Sequence, residues 1–182
     1  VNLFDGVSAE YRRARWSTGL FTGSQPDPLT YSYSSEVREH GGFFEYGSGR
    51  DAARRWAITS GVVGSYDRGE IDREFVFLQG RYDGPRLSAY ATEETDLNRG
   101  WKKTAEGKSW TFTSAFASVR WRVADRLTVQ GGFDDRRNVR LYRDSITPET
   151  EFDDRMRRGA WLGFDGRAGT HVNYGVEARQ SD

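Results

Sequence analysis

Residues 110–123, WTFTSAFASVRWRV, decide the fold class. Taken alternately, Thr111, Thr113, Ala115, Ala117, Val119, Trp121 and Val123 fall on one side, and Ser114, Ser118, Arg120 and Arg122 on the other. That is the period of a pleated strand and not of a helix. One side can meet an apolar medium; the other carries charge. After Ala124, Asp125 and Arg126 the pattern resumes, with Leu127, Val129, Gly131 and Phe133 alternating with Thr128, Gln130, Gly132, Asp134 and Arg136. This second strand is expected to continue through Arg137 and Arg140 to Tyr142, past any apolar band, as strands feeding long outer loops do.

Downstream, the stretch from Asp144 to Arg155, with Pro148, Glu149, Glu151, Asp153 and Asp154, reads as a loop. Ala160, Leu162 and Phe164 then alternate with Gly159, Trp161 and Gly163. A tight turn is expected at Asp165, Gly166 and Arg167, followed by a last strand with Ala168, Thr170, Val172, Tyr174, Val176 and Ala178 on one side. Upstream, Val76 to Tyr82 leads to a turn at Asp83, Gly84 and Pro85, then to Leu87, Ala89 and Ala91 opposite Arg86, Ser88, Tyr90 and Thr92. A polar connection is expected from Thr95 to Lys108. Earlier strands are expected at Ala9 to Phe21, Leu29 to Val37, Phe43 to Tyr46, Trp56 to Tyr66 and Ile71 to Tyr82.

From Asp83 onward the connections run short, long, short, long, short, the alternation of an up-and-down barrel between two membrane faces. The expected fold is therefore all-β, a single domain over residues 1–182: an antiparallel up-and-down β-barrel of about ten strands, or a segment of a larger transmembrane barrel. Two features favour a segment. The last strand would run outward and stop at Asp182, and Arg179 to Asp182 lack the terminal aromatic residue common in bacterial barrels.

Composition agrees with strands. Lys plus Arg and Asp plus Glu both number 27, so the formal charge is zero and a polyanion such as nucleic acid is not expected as partner. Charged residues are 30% of the chain, yet 14% aromatic residues and 21 Gly describe pleated surfaces and turns rather than disorder. Cysteine is absent, which removes disulfides and thiolate chemistry. No window approaches the length of a transmembrane helix. The chain begins at Val1 without a charged-then-apolar signal segment, which leaves room for an upstream region.

Two consecutive stretches carry a family resemblance. Residues 123–144, VADRLTVQGGFDDRRNVRLYRD, followed by 146–167, ITPETEFDDRMRRGAWLGFDGR, resemble segments of large, poorly characterised bacterial outer-membrane β-barrel proteins. There, a tight turn precedes a strand ending in Asp, Arg and Asn, then an acidic loop and another strand. The resemblance extends over roughly residues 82–179. It implies a barrel fold and an outer-membrane location, and brings with it neither a transported solute nor catalytic residues.

The residues expected to line a lumen are Arg120, Arg122, Gln130, Asp134, Arg136, His171, Asn173, Glu177 and Arg179; a structural lattice of ion pairs is the first reading of this set and a conducting path the second. Those expected to face lipid are Ala115, Ala117, Val119, Trp121, Leu127, Val129, Phe133, Val172, Tyr174 and Val176. Trp56, Tyr66, Tyr82, Trp110, Trp121 and Tyr174 suit interfacial girdles. Arg136, Arg137, Arg140 and Arg143 could bind lipopolysaccharide phosphates, although Asp134, Asp135 and Asp144 supply counter-charges within the same segment. The acidic run from Thr147 to Asp154 lacks the ligand spacing of a calcium loop.

Catalysis has thin support. His40 and His171 are the only histidines, and no Gly-x-Ser-x-Gly elbow surrounds Ser60, Ser114 or Ser118. The acids define no glycosidase pair. The expected function is a passive, porin-like pore or structural barrel component in the bacterial outer membrane. It is not an enzyme, has no cofactor or metal, and has membrane lipid as partner. The alternative is a soluble β-sandwich or β-barrel module binding carbohydrate or a small ligand, in which the apolar set would be buried and the charged set wet.

Overall fold

A computed structural model describes residues 5–27, 30–48, 54–146, 152–169 and 172–182. The fold is all-β. Ten strands follow one another in one antiparallel sheet whose spatial order is the order of the chain. They are β1 (Asp5–Arg13), β2 (Trp16–Ser24), β3 (Val37–Gly47), β4 (Arg55–Asp67), β5 (Glu70–Asp83), β6 (Leu87–Leu97), β7 (Trp110–Ala124), β8 (Leu127–Arg136), β9 (Arg157–Ala168) and β10 (Val172–Ser181). Two short helices, α1 (Gly100–Glu106) and α2 (Tyr142–Ile146), lie in the connections before β7 and β9. Among the described residues β1 and β10 pair with no further strand, so the up-and-down sheet has two open edges.

The connections from β1 to β2, β3 to β4, β5 to β6, β7 to β8 and β9 to β10 leave and re-enter the sheet at one end, and those from β2 to β3, β4 to β5, β6 to β7 and β8 to β9 at the other. The second group holds the long ones, apart from the tight β4–β5 turn, where Arg68 and Gly69 both take positive φ.

Strand boundaries depart from expectation in four places. Ala9 to Phe21 is a hairpin and not one strand: Arg13 pairs with Trp16 around Ala14, whose φ of 44° makes the reversal without glycine or proline. Residues 30–36 form no strand, and β3 instead begins at Val37. β8 stops at Arg136 rather than running to Tyr142, because the chain turns toward α2. Asp165, Gly166 and Arg167 lie inside β9, paired with Gly175, Tyr174 and Asn173; the turn comes later, at Gly169 with φ 64°. Gly166 serves packing there, since a Cβ would meet the Tyr174 ring at 2.5 Å.

A further correction concerns β7. Thr113 is unpaired between the pairs Glu94–Ser114 and Thr95–Phe112, a bulge that reverses the alternation. Thr111 and Thr113, expected beside Ala115, sit instead with Ser114 and Arg120. Thr113 is 2% exposed, whereas Trp110 and Phe112 take the side of Ala115 and are open. A second bulge leaves Asp72 unpaired between Ser65–Arg73 and Tyr66–Ile71.

With the bulges placed, the register separates two faces. Val7, Tyr11, Leu20, Phe44, Tyr46, Trp56, Ile58, Val62, Leu78, Leu87, Trp110, Phe112, Val119, Trp121, Phe133, Leu162, Phe164, Val172, Tyr174 and Val176 share one face, and all are exposed. The opposite face is buried in part, though not on β1 or β10, whose residues are all exposed, and the only buried hydrophobic side chain among the described residues is Ala57. Its buried groups are polar: Ser17, Glu39, Ser65, Asp67, Asp96, Thr111 and Thr113. Aromatic rings fill this polar face by lying across glycines on neighbouring strands, Phe43 over Gly19, Phe21 over Gly41, Phe77 over Gly61 and Trp161 over Gly132.

That packing sets a test. A Cβ at Gly132 would lie 2.1 Å from the Trp161 ring, whereas one at Gly80 meets nothing within 4 Å. Gly132→Ala is expected to destabilise by about 1–3 kcal/mol in equilibrium unfolding by denaturant, and Gly80→Ala to be nearly neutral.

Candidate functional site

The polar face has two differently built ends. At the end of the long connections, residues 98–109 fold over the sheet as α1 rather than forming an open loop. Gly107, at φ 69°, ends the helix by donating its N–H to the Lys103 carbonyl. Trp101 donates its indole N–H to the Ile71 carbonyl at 2.6 Å and packs on the Tyr142 ring at 5.7 Å between centroids.

Beneath this cap lies a lattice of ion pairs. Lys102 and Asp96, each 1% exposed, are joined at 2.7 Å. Asp96 also receives Arg73 at 2.9 Å, and Arg73 reaches Glu94 at 2.8 Å and Thr113 at 3.3 Å. The bulge places Thr113 for this role: its hydroxyl donates to the Glu94 carbonyl at 3.0 Å. Asn98 donates to Thr111 at 2.7 Å and to the Lys108 carbonyl at 3.1 Å. Arg137 donates from one guanidinium nitrogen, Nη2, to both Glu106 oxygens at 2.9 and 3.1 Å, a charge-assisted contact. Asp72, freed from the ladder by its bulge, accepts the Ser65 hydroxyl at 3.1 Å and the Tyr142 N–H at 2.9 Å, which anchors α2.

The opposite end is basic and less paired. A cleft of about 460 Å³ is lined by Arg12, Arg15, Arg55 and Arg81 with Glu45 and Asp83. Arg81 is 3.6 Å from Glu45, and Arg12 is bound to Glu10 at 2.6 Å. Arg15, Arg55, Arg120 and Arg122 have no carboxylate within ion-pair distance among the described residues. A second cleft of about 400 Å³ continues along the same face, sharing Arg81 and Asp83 and adding Arg120 and Gln130.

The register brings Arg120, Arg122, Gln130, Asp134, Arg136, Asn173, Glu177 and Arg179 onto the polar face. Ala115, Ala117, Val119, Trp121, Leu127, Val129, Phe133, Val172, Tyr174 and Val176 share the other. His171 lies outside the described residues. Arg179 is bonded to Glu177, and Arg136 lies 3.4 Å from Asp134. Trp56, Tyr82, Trp110, Trp121, Tyr174 and Tyr66 share the apolar face; the Tyr66 hydroxyl donates to Glu74 at 2.8 Å.

The arginines considered for lipopolysaccharide do not share an open surface. Arg137 is committed to Glu106, and Arg140 stacks on Phe152 at 4.4 Å. Residues 147–151 of the acidic run, and the Arg143 and Asp144 side chains, lie outside the described set. The rest of the run includes Asp153, whose carboxyl is held below its usual range by the Arg155 N–H and then by the Arg157 guanidinium. No cluster of metal-holding side chains occurs among the described residues. His40 faces the apolar side and contacts Thr22 at 2.7 Å, whereas Ser114 and Ser118 lie on the polar side.

Sequence reasoning missed the lattice, because Asp96, Asn98, Lys102 and Glu106 fall in what reads as a polar connection. The one available signal was Gly107, a glycine suited to ending a short helix. No helix among the described residues is long and apolar enough to cross a membrane. No known protein family, curated protein or solved structure matches the chain.

The Lys102–Asp96 pair should show the penalty of leaving a buried charge unmatched. Lys102→Met is expected to cost about 3 kcal/mol, and Lys102→Met with Asp96→Asn to cost clearly less than the sum of the singles. A double-mutant cycle by denaturant unfolding measures both.

Proposed function

We propose that this chain is the wall, or part of the wall, of a transmembrane β-barrel in a bacterial outer membrane. In this reading it acts as a passive pore or structural component and not as an enzyme, and its partner is lipid. The observation that carries the reading is the inversion of the two faces. The covered side is polar and charged, and the open side carries every exposed large apolar side chain found at a paired strand position, with Leu162 63% and Trp121 51% exposed. Water penalises such a face, and soluble monomers rarely expose a contiguous apolar patch of this kind. A soluble sandwich would need a second sheet over it, and none lies there among the described residues.

Dimensions support the same reading. Between Trp110 and Trp121, with one residue lost to the bulge, β7 rises about 33 Å along its axis. At a tilt of ~40° this crosses about 25 Å, the height of an outer-membrane apolar band. One margin of the apolar face is a run of rings: Tyr11 to Trp16 at 5.5 Å, Trp16 to Phe44 at 6.1 Å, and Tyr46 to Trp56 at 5.6 Å. Aromatic residues concentrate at such margins because their amphipathic rings sit at headgroup level. The open edges of β1 and β10 then require strand partners, each other or further strands, since an unpaired edge is not tolerated in lipid.

Single-tryptophan variants test this. In vesicles containing acyl-chain-brominated lipid, a protein retaining only Trp121 should be strongly quenched, and one retaining only Trp161, on the polar face against Phe116, should not. Equal quenching of both, or of neither, would contradict the proposal.

A further inference from the structure

The guanidiniums at the short-connection end of the polar face are arranged differently from every other charge cluster in the sheet. We infer that the cleft bounded by Arg12, Arg15, Arg55 and Arg81 is an anion-binding vestibule that takes small oxyanions such as phosphate, and that it makes any ion path along the polar face anion-selective. The binding arm of this inference stands on the cleft alone; the selectivity arm rests on the barrel reading above.

Three observations carry it. First, charge is not balanced there. Four guanidiniums, one of them paired with Glu10, meet two further carboxylates, Glu45 and Asp83, in a cleft of about 460 Å³. At the other end the bases are matched by acids at short range, Lys102 to Asp96 at 2.7 Å and Arg137 to Glu106 at 2.9 Å. A purely structural lattice would be closed in the same way at both ends. Here Arg15 and Arg55 reach no carboxylate among the described residues, and Arg81 and Glu45 stand at 3.6 Å.

Second, a polar atom is left waiting in the cleft. Ser17 lines it and is 3% exposed, yet its hydroxyl has no hydrogen-bond partner among the described residues. A buried hydroxyl without a partner is costly, and an oxyanion held between the guanidiniums would accept its hydrogen bond. Third, the positive strip is continuous. Arg81 also lines the second cleft, of about 400 Å³, with Arg120 and Gln130, so the clefts place basic residues from Arg12 on β1 to Arg120 on β7. Planar guanidinium forks match oxyanion geometry, and rings of Arg or Lys in a pore favour anions.

The test has two arms. Inorganic phosphate is titrated calorimetrically into the protein in detergent. Saturable, salt-weakened binding is expected, made roughly tenfold weaker by Arg55→Gln or Arg81→Gln, the loss of one charge-assisted hydrogen bond, and unchanged by Arg136→Gln. Arg81 is largely exposed, so its replacement should leave folding intact. No saturable binding, or binding indifferent to both cleft variants, overturns the inference.

In planar bilayers under a KCl gradient, the reversal potential should report chloride preference, and Arg81→Gln with Arg120→Gln should move it toward the cation side. Cation preference in the unaltered protein would overturn the selectivity while leaving the membrane reading standing. Failure to insert would overturn the membrane reading, and the phosphate isotherm would still decide the cleft.

Discussion

A single sheet has two faces, and this chain buries side chains mainly on one of them, with Ser24, Glu74 and Asp135 the buried polar exceptions on the other. The covered face is the one that water would have tolerated. Its buried side chains are carboxylates, hydroxyls, an amide and a lysine, and the exposed valines, leucines and tryptophans of the strands, such as Val62, Leu162 and Trp121, stand on the other side. Burial of apolar area is the main force that holds soluble domains together, so a fold of this kind must draw that force from an apolar surrounding. The proposed lipid setting supplies it, and the continuous antiparallel ladder satisfies the backbone groups that lipid cannot.

Cohesion on the covered side has a different origin. In place of a hydrocarbon core there is a lattice in which each charge is matched: Lys102 and Arg73 on Asp96, Arg73 also on Glu94, Arg137 on Glu106. Buried pairs of this sort add little net stability when intact but penalise any arrangement that separates them. They act mainly to fix geometry, holding α1 and the 98–109 connection at one position over the sheet. The bulges at Thr113 and Asp72 belong to the same device. Thr113 and Asp72 leave the ladder so that their oxygens can join the lattice, and the reversal of alternation at Thr113 puts Trp110 and Phe112 on the apolar side. The basic end lacks this closure, which is the reason a mobile anion is proposed to complete it.

Much of the sheet was legible because period-two alternation is strong where one face is apolar and the other charged, as in β7, β8 and β10. What escaped was set by interactions that alternation does not record. The Arg13–Trp16 hairpin turns at Ala14 without any residue that announces a turn. Asp165, Gly166 and Arg167 look like a turn, yet Gly166 is there to lie under the Tyr174 ring. The face of Thr111 depends on a single unpaired residue, Thr113, which is bonded to Glu94 and Arg73 rather than marked by any turn residue. The lattice itself joins residues far apart in the chain, Asp96 with Arg73 and Glu106 with Arg137, which no local pattern can pair.

The central claim is that the exposed apolar face meets hydrocarbon. Spin labels placed singly at Val129, Phe133 and Val176, and at Gln130 and Glu177, measure it most directly through their relative accessibility to oxygen and to a polar nickel chelate in bilayers. The account requires high oxygen and low chelate contact at the first three positions and the reverse at Gln130 and Glu177. Protection of Val129, Phe133 and Val176 from both reagents, as in a protein interior, would contradict it.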